Sequence, residues 1–189
     1  MPEPAQPQQP PQENIVFIGF MGSGKSTVGR IVARKLRFSF LDTDKAVGER
    51  ARMTIPQIFE QYGEAHFRER ETAVLESLVG VTRHVFATGG GIVTQPRNVP
   101  ILRQLGLVVL LKADPEEIFK RVSRNSERPL LQVENPRTRV FELMAERQPL
   151  YEQAAQFQVD STKLRHEEVA RLVIHEACRL FGWREPART

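Results

Sequence analysis

A chain of 189 residues suits one domain with a substantial core, and 40% hydrophobic with 26% charged residues is ordinary for a globular protein. A single cysteine excludes an intrachain disulfide and a cysteine zinc cluster, and no apolar stretch approaches the ~20 residues of a membrane span. The net charge of +4 comes from basic residues interleaved with acids, without an aromatic platform, which argues against nucleic acid and for small anionic substrates.

Residues 1–13 carry five prolines and four glutamines, with no large apolar residue after Met1. They read as a disordered or polyproline-like tail. They also lack the apolar region of a secretory signal, so the chain is expected in the cytoplasm. A single kinase-sized domain is expected over 14–182. It opens on the apolar run Ile15–Ile18, which ends in Gly19-x-x-x-x-Gly24-Lys25-Ser26. The following helix sets Val28, Ile31, Val32 and Leu36 on one face. Phe38–Leu41 reads as a second strand ending at Asp42-Thr43-Asp44, followed by a weak helix over about 45–52. Thr54-x-x-Gln57 is a capping box for a short helix expected to stop near Gly63, with a longer helix over about 64–79.

Val85–Ala87 is a third strand, followed by Gly89-Gly90-Gly91. A helix over about 96–105 stops at Gly106, and Leu107–Leu111, the most apolar run, reads as a central strand. Asp114 caps the next helix, with Pro115 at its first position and Glu117 expected to return the capping bond. Residues 125–136 form a polar, proline-bounded segment long enough to act as a lid. The helix after it reaches about Ala155, and Pro149 is expected to break or kink it. A short strand near Phe157–Val159 and a last helix over about 167–181 follow, with a frayed tail at 183–189. Cys178 falls on that last helix as a packing residue, and the four histidines show no ligand spacing.

Five strands alternating with helices specify a parallel sheet covered on both faces, with ligands at the carboxyl ends of the strands. The phosphate loop, the Asp42/Asp44 pair and the triple glycine each follow a strand end, so three distant motifs should meet in one cleft. In the loop, Gly22, Ser23, Gly24, Lys25, Ser26 and Thr27 present backbone N–H groups to an anion at a helix N-terminus. Lys25 brings a cation to the β/γ-phosphates of ATP, and Ser26 brings a hydroxyl to Mg²⁺.

Asp42 and Asp44 stand where a strand becomes a helix. Either can serve as a cap, but two carboxylates beside a phosphate loop also suit a hard cation and a kinase's hydroxyl acceptor. Asp42 is assigned to the metal side and Asp44 to the substrate hydroxyl. Glu71 falls on the same helical stripe as Phe67, Val74, Leu75 and Leu78, with Arg68 three residues before it. An exposed pair at the stripe's edge is the plain alternative. The functional reading is an inward carboxylate holding an arginine for an anionic substrate group. Arg147 lies on an inner stripe with Val140, Leu143, Met144 and Tyr151, and makes a second candidate cation for a carboxylate. Gly89, Gly90 and Gly91 can serve a ligand only through their backbone. Arg128, in the lid segment, is placed to reach the transferring phosphoryl group, and Arg121 to flank the nucleotide base.

The set Gly19–Thr27, Asp42-Thr43-Asp44, Phe67-Arg68-x-x-Glu71, Gly89–Val93, Arg128-Pro129-Leu130-Leu131 and Arg147-x-x-Leu150-Tyr151 resembles shikimate kinase over about residues 14–181. The resemblance implies a P-loop NTPase fold of the nucleoside-monophosphate-kinase type, an α/β fold with a five-stranded parallel sheet in the order 2-3-1-4-5. It implies ATP-dependent phosphorylation of the 3-hydroxyl of shikimate in a monomer, with one Mg²⁺ per subunit. In the family, the residue matching Asp44 binds the ring hydroxyls, those matching Arg68 and Arg147 hold the substrate carboxylate, and those matching Gly89–Gly91 contact the substrate. The residue matching Arg128 belongs to the lid and touches ATP, and that matching Ser26 coordinates Mg²⁺. The Pro/Gln tail has no counterpart in the family pattern. The segment Asp160–Arg165 does not match cleanly, which leaves Lys163, Leu164 and Arg165 open as contacts of the base.

Overall fold

Alternation at the first strand sets the architecture. β1 (Ile15–Ile18) is buried throughout: Ile15 and Phe17 point to one face of the sheet, Val16 and Ile18 to the other. The computed structural model describes residues 13–123 and 133–186. The remaining strands are β2 (Ser39–Asp42), β3 (His84–Ala87), β4 (Leu107–Lys112) and β5 (Phe157–Asp160). They form one parallel sheet in the order β2-β3-β1-β4-β5. This is the expected order, and β1 and β4 are central as their composition requires.

Helices α1 (Lys25–Leu36) and α7 (His166–Phe181) cover the Ile15/Phe17 face, where Cys178 packs. The opposite face takes α2 (Thr43–Ala51), α3 (Ile55–Ser77), α4 (Asn98–Leu105), α5 (Pro115–Val122) and α6 (Pro136–Ala154). Among the described residues no helix is long and apolar enough to cross a membrane. The lid segment is described only at 133–136; residues 124–132, with Arg128, and residues 1–12 of the Pro/Gln tail lie outside the described residues.

The two helical stretches expected on either side of Gly63 are both present within α3, interrupted at Gly63, which is non-helical (φ 78°, ψ 173°). Ile58, from the first stretch, and Phe67, Val74 and Leu75, from the second, pack into one core. Other expectations are corrected. Helix α6 reaches Ala154, close to the expected end, and of the two outcomes expected at Pro149 the break does not occur. Burial of Arg147, Tyr151 and Ala154 around the proline fixes the last turns, so the lost backbone bond does not end the helix. Asp114 caps α5 through Glu116 and Glu117 N–H groups, but Glu117 pairs with Arg121 (3.0 Å) rather than returning a bond to the cap. Trp183, expected in a frayed tail, stacks on Phe181 (4.6 Å between ring centroids) and meets Phe38 edge-on (5.1 Å). Aromatic burial outweighs chain-end entropy there.

Candidate active site

The carboxyl ends of the strands open into a cleft of about 1130 Å³ lined by the phosphate loop, Asp42, Asp44, Arg121 and the start of α7. The loop's conformation follows from its glycines. Gly24 caps α1 in the left-handed region (φ 97°), which a side chain would strain, and so the first turn of α1 faces the cleft. Lys25 is buried and folds back along the loop, donating to the carbonyls of Gly19 (2.8 Å) and Phe20 (2.9 Å). Ser26 Oγ donates to Asp42 Oδ2 at 2.7 Å. Asp42 thus has two duties, since its other oxygen caps α2 through Lys45 N–H (3.4 Å). Arg121 reaches the loop from α5, its Nη1 donating to Gly22 O at 3.4 Å while Glu117 holds its Nε.

Next to this cleft lies a smaller cavity of about 70 Å³. Met21, Asp44, Ile55 and Gly90 line both, so the two spaces are continuous. The smaller one is walled by Arg68, Glu71, Arg147 and Gly89–Gly91. Here the inward reading of the α3 and α6 stripes holds: Glu71 is 0% exposed, Arg68 5% and Arg147 4%. Arg68 Nη1 donates to Glu71 Oε2, closing the i,i+3 pair. Arg147 Nη1 donates to Gly90 O at 3.1 Å, and the Tyr151 hydroxyl donates to the same carbonyl.

Close approach explains the glycines. A Cβ on Gly89 would collide with Glu71 Oε1 and Asp44 Oδ1, and one on Gly91 with the Arg68 guanidinium. Charged side chains from α2 and α3 pack directly on the backbone at Gly89 and Gly91, and the phosphate-loop backbone at Met21 crowds Gly90. The Ile92–Thr94 turn beyond it is pinned by buried Asn98, which donates to Ile92 O (2.9 Å) and accepts from Thr72 Oγ1 (2.9 Å).

The electrostatics are those of a small dry pocket with mixed charge. Burial raises the Glu71 carboxyl to about 7; Arg68 works against this and the adjacent Asp44 adds to it. Burial lowers the affinity of Arg68 for its proton, but Glu71 and Glu64 outweigh that and leave its pKa raised, so it stays a cation. Burial likewise pushes the Tyr151 hydroxyl upward, against the pull of Arg147, and keeps it a donor.

This gives a pH signature. The folded-state pKa of Glu71 lies above its unfolded value of 4.5, so folding takes up a proton between the two. Stability is therefore highest below about pH 4.5 as far as this group is concerned, and falls as pH rises to about 7. In urea unfolding from pH 4.5 to 8, the unmodified chain should lose on the order of 3 kcal/mol across that window relative to Glu71→Gln and run parallel to it above. A difference that does not change with pH would show that Glu71 stays ionised throughout.

Every predicted site residue within the described chain lines one of the two spaces or touches the phosphate loop. Four participants carried weaker signals. Tyr151 shares the stripe of Arg147, and Asn98 is a polar residue opening an apolar helix. Glu64 precedes Arg68 by one helical turn and accepts from its Nε (3.2 Å) and Nη2 (2.8 Å). His166, one of the histidines given no role, places its ring against Gly24. Leu164, Arg165 and His166 line the larger cleft, whereas Lys163 lines a separate recess with Asp114 and Asp160.

A family model described as shikimate kinase matches residues 21–178. The shikimate kinase of Caldanaerobacter subterraneus subsp. tengcongensis is 46% identical over 170 residues, covering 90% of this chain and 99% of that protein. Shikimate kinase from Acinetobacter baumannii, solved in complex with shikimate, superposes with a TM-score of 0.85 at 40% identity, covering 89% of this chain and 94% of that one. A gluconokinase from Sinorhizobium meliloti 1021 has a TM-score of 0.56 at 17% identity, covering 90% and 93%, a likeness of fold alone.

Proposed function

The chain belongs to the shikimate kinase family, and we propose that its cleft carries out ATP-dependent phosphorylation of the 3-hydroxyl of shikimate, giving shikimate 3-phosphate and ADP on the route to chorismate. The observation that carries this reading is the joined pair of spaces: a phosphate loop opens beside a recess lined by two buried arginines, a carboxylate and a glycine backbone, the groups that would receive a small hydroxy acid.

ATP lies in the larger space, its phosphates on the N–H groups from Gly22 to Thr27 and its base between Arg121 and the Leu164–His166 segment. Lys25 leaves the carbonyls of Gly19 and Phe20 for the β/γ-phosphates, a short swing for a flexible side chain. A magnesium ion fits the oxygen donors present. Ser26 and Asp42 meet at the mouth of α1, and among the described residues no group of three or more acidic, histidine or cysteine side chains could hold a metal ion by itself. That donor set matches a hard cation held by few protein ligands, phosphates and water. When bound, the ion neutralises charge on the phosphates.

In the smaller space, Arg68 and Arg147 receive the acid's carboxylate, and Gly89–Gly91 approach its ring. Asp44, on the border of both spaces, directs the acceptor hydroxyl at the γ-phosphate. The transition state of phosphoryl transfer is loose, so catalysis is mainly positioning and charge stabilisation. The kinase domain spans 14–182 in this reading. In the same reading the enzyme acts as a cytoplasmic monomer.

Release of ADP on adding shikimate, beside a parallel reaction with gluconate, tests the assignment. Turnover of shikimate is expected, with gluconate turned over weakly or not at all; preference for gluconate would overturn it. Arg147→Ala should raise the KM for shikimate about 10- to 100-fold, the loss of a charge-assisted contact, with the KM for ATP unchanged. A change confined to the ATP KM would remove Arg147 from the carboxylate receptor.

A further inference from the structure

Arg68 is held by two carboxylates of unlike character. Glu71 takes its Nη1 from the sealed side, with a side chain 0% exposed. Glu64 takes the Nε and Nη2 edge at 3.2 and 2.8 Å with a side chain 46% exposed. The Nε–Nη2 edge is the fork that grips a carboxylate with two parallel bonds. Three of the five guanidinium N–H groups are thus committed to protein acids, and the edge best shaped for an acid ligand is the one that Glu64 holds.

Glu64 also sits directly after the Gly63 kink, at the start of the second helical stretch of α3. No neighbouring atom stands within 4 Å of where a Cβ on Gly63 would be, so the chain is open to solvent just before Glu64. A half-exposed carboxylate loses little on returning to water, whereas Glu71 is enclosed by α3, Asp44 and Gly89 and has no such exit.

We infer that Glu64 is an internal competitor of the substrate: its carboxylate occupies the Arg68 fork, and the incoming acid must displace it. This rests on the reading of the smaller cavity as the acid's pocket. Glu71 fixes the guanidinium in place, and Glu64 sets how tightly an acid is held by it. Glu64 is in this sense a residue that tunes affinity, touching neither nucleotide nor the reacting hydroxyl.

Steady-state kinetics of the full chain with Mg²⁺, ATP and shikimate, with shikimate binding followed separately by calorimetry, tests the inference. Glu64→Ala should lower both the KM and the Kd for shikimate about two- to five-fold, the worth of an exposed ion pair, and leave kcat and the KM for ATP unchanged. Glu64→Gln keeps an acceptor but drops the charge and should fall between the two. A KM and Kd that rise in Glu64→Ala would show that Glu64 braces Arg68 for the substrate, and unchanged values would show that it does not compete; either overturns the inference. The unmodified chain separates this from the functional reading. If it fails to turn over shikimate, the assignment of the pocket fails and the inference falls with it. If it turns over shikimate normally, only the role of Glu64 is at stake.

Discussion

Asp44→Asn should lower kcat by about 10²–10⁴ with the KM for ATP unchanged. The substitution preserves shape and polar character but removes the charge and the proton-accepting oxygen. Because the transition state is loose and little negative charge builds on the attacking oxygen, the loss should lie toward the lower end of that range. A second effect separates a true contact from general damage. The Asp44 charge contributes to the raised pKa of Glu71, since both carboxylates reach the space beside Gly89. Asp44→Asn should therefore move the pH-dependent loss of stability attributed to Glu71 to lower pH. Rapid-quench measurement of the phosphoryl-transfer step, alongside urea unfolding at several pH values, reads both. A rate loss under tenfold in a folded variant would deny Asp44 a major part in the chemistry.

Arg68→Ala should destabilise the fold by about 3–5 kcal/mol at pH 8 and sharply weaken shikimate binding. The stability loss comes from what remains behind. Glu71 is fully buried, and Arg68 is the partner that its Oε2 bonds. Removing the guanidinium leaves a charge in a dry pocket beside Asp44, with Arg147 as the remaining nearby cation. At pH 6 the cost should shrink, because Glu71 then takes up a proton instead of staying charged. The double variant Arg68→Ala/Glu71→Gln should recover most of the stability but not the substrate affinity. Chemical denaturation at the two pH values checks the first part and calorimetry with shikimate the second. Equal costs at both pH values, or recovery of binding in the double variant, would contradict this account.

The pattern of recovery along the chain has a physical cause. Strands β1 and β4 were readable because burial on both faces demands unbroken apolar runs. The phosphate loop was readable because its backbone geometry admits few residue types. The inward turn of Arg68, Glu71 and Arg147 was readable as charge on an apolar stripe. Exposed Glu69 on the same helix, by contrast, carries no such mark.

The run of α6 through Pro149 went against local propensity, because buried contacts around the proline outweighed a missing backbone bond, whereas the break of α3 at Gly63 followed it. The packing of Trp183 was not legible either, because its partners Phe38 and Phe181 lie far apart in the chain.

By itself, the sequence determined the parallel α/β architecture, the nucleotide loop and the identity of the charged residues that face inward, because periodicity and backbone restriction are written locally. Only the tertiary structure decided which of these charges meet. Glu71 and Asp44 share the space beside Gly89, and the side chains of Tyr151 and Arg147 share the carbonyl of Gly90. The reason is distance: an ion pair or a shared acceptor is settled within a few ångströms, and that spacing is fixed only when helices from separate parts of the chain are docked on one sheet.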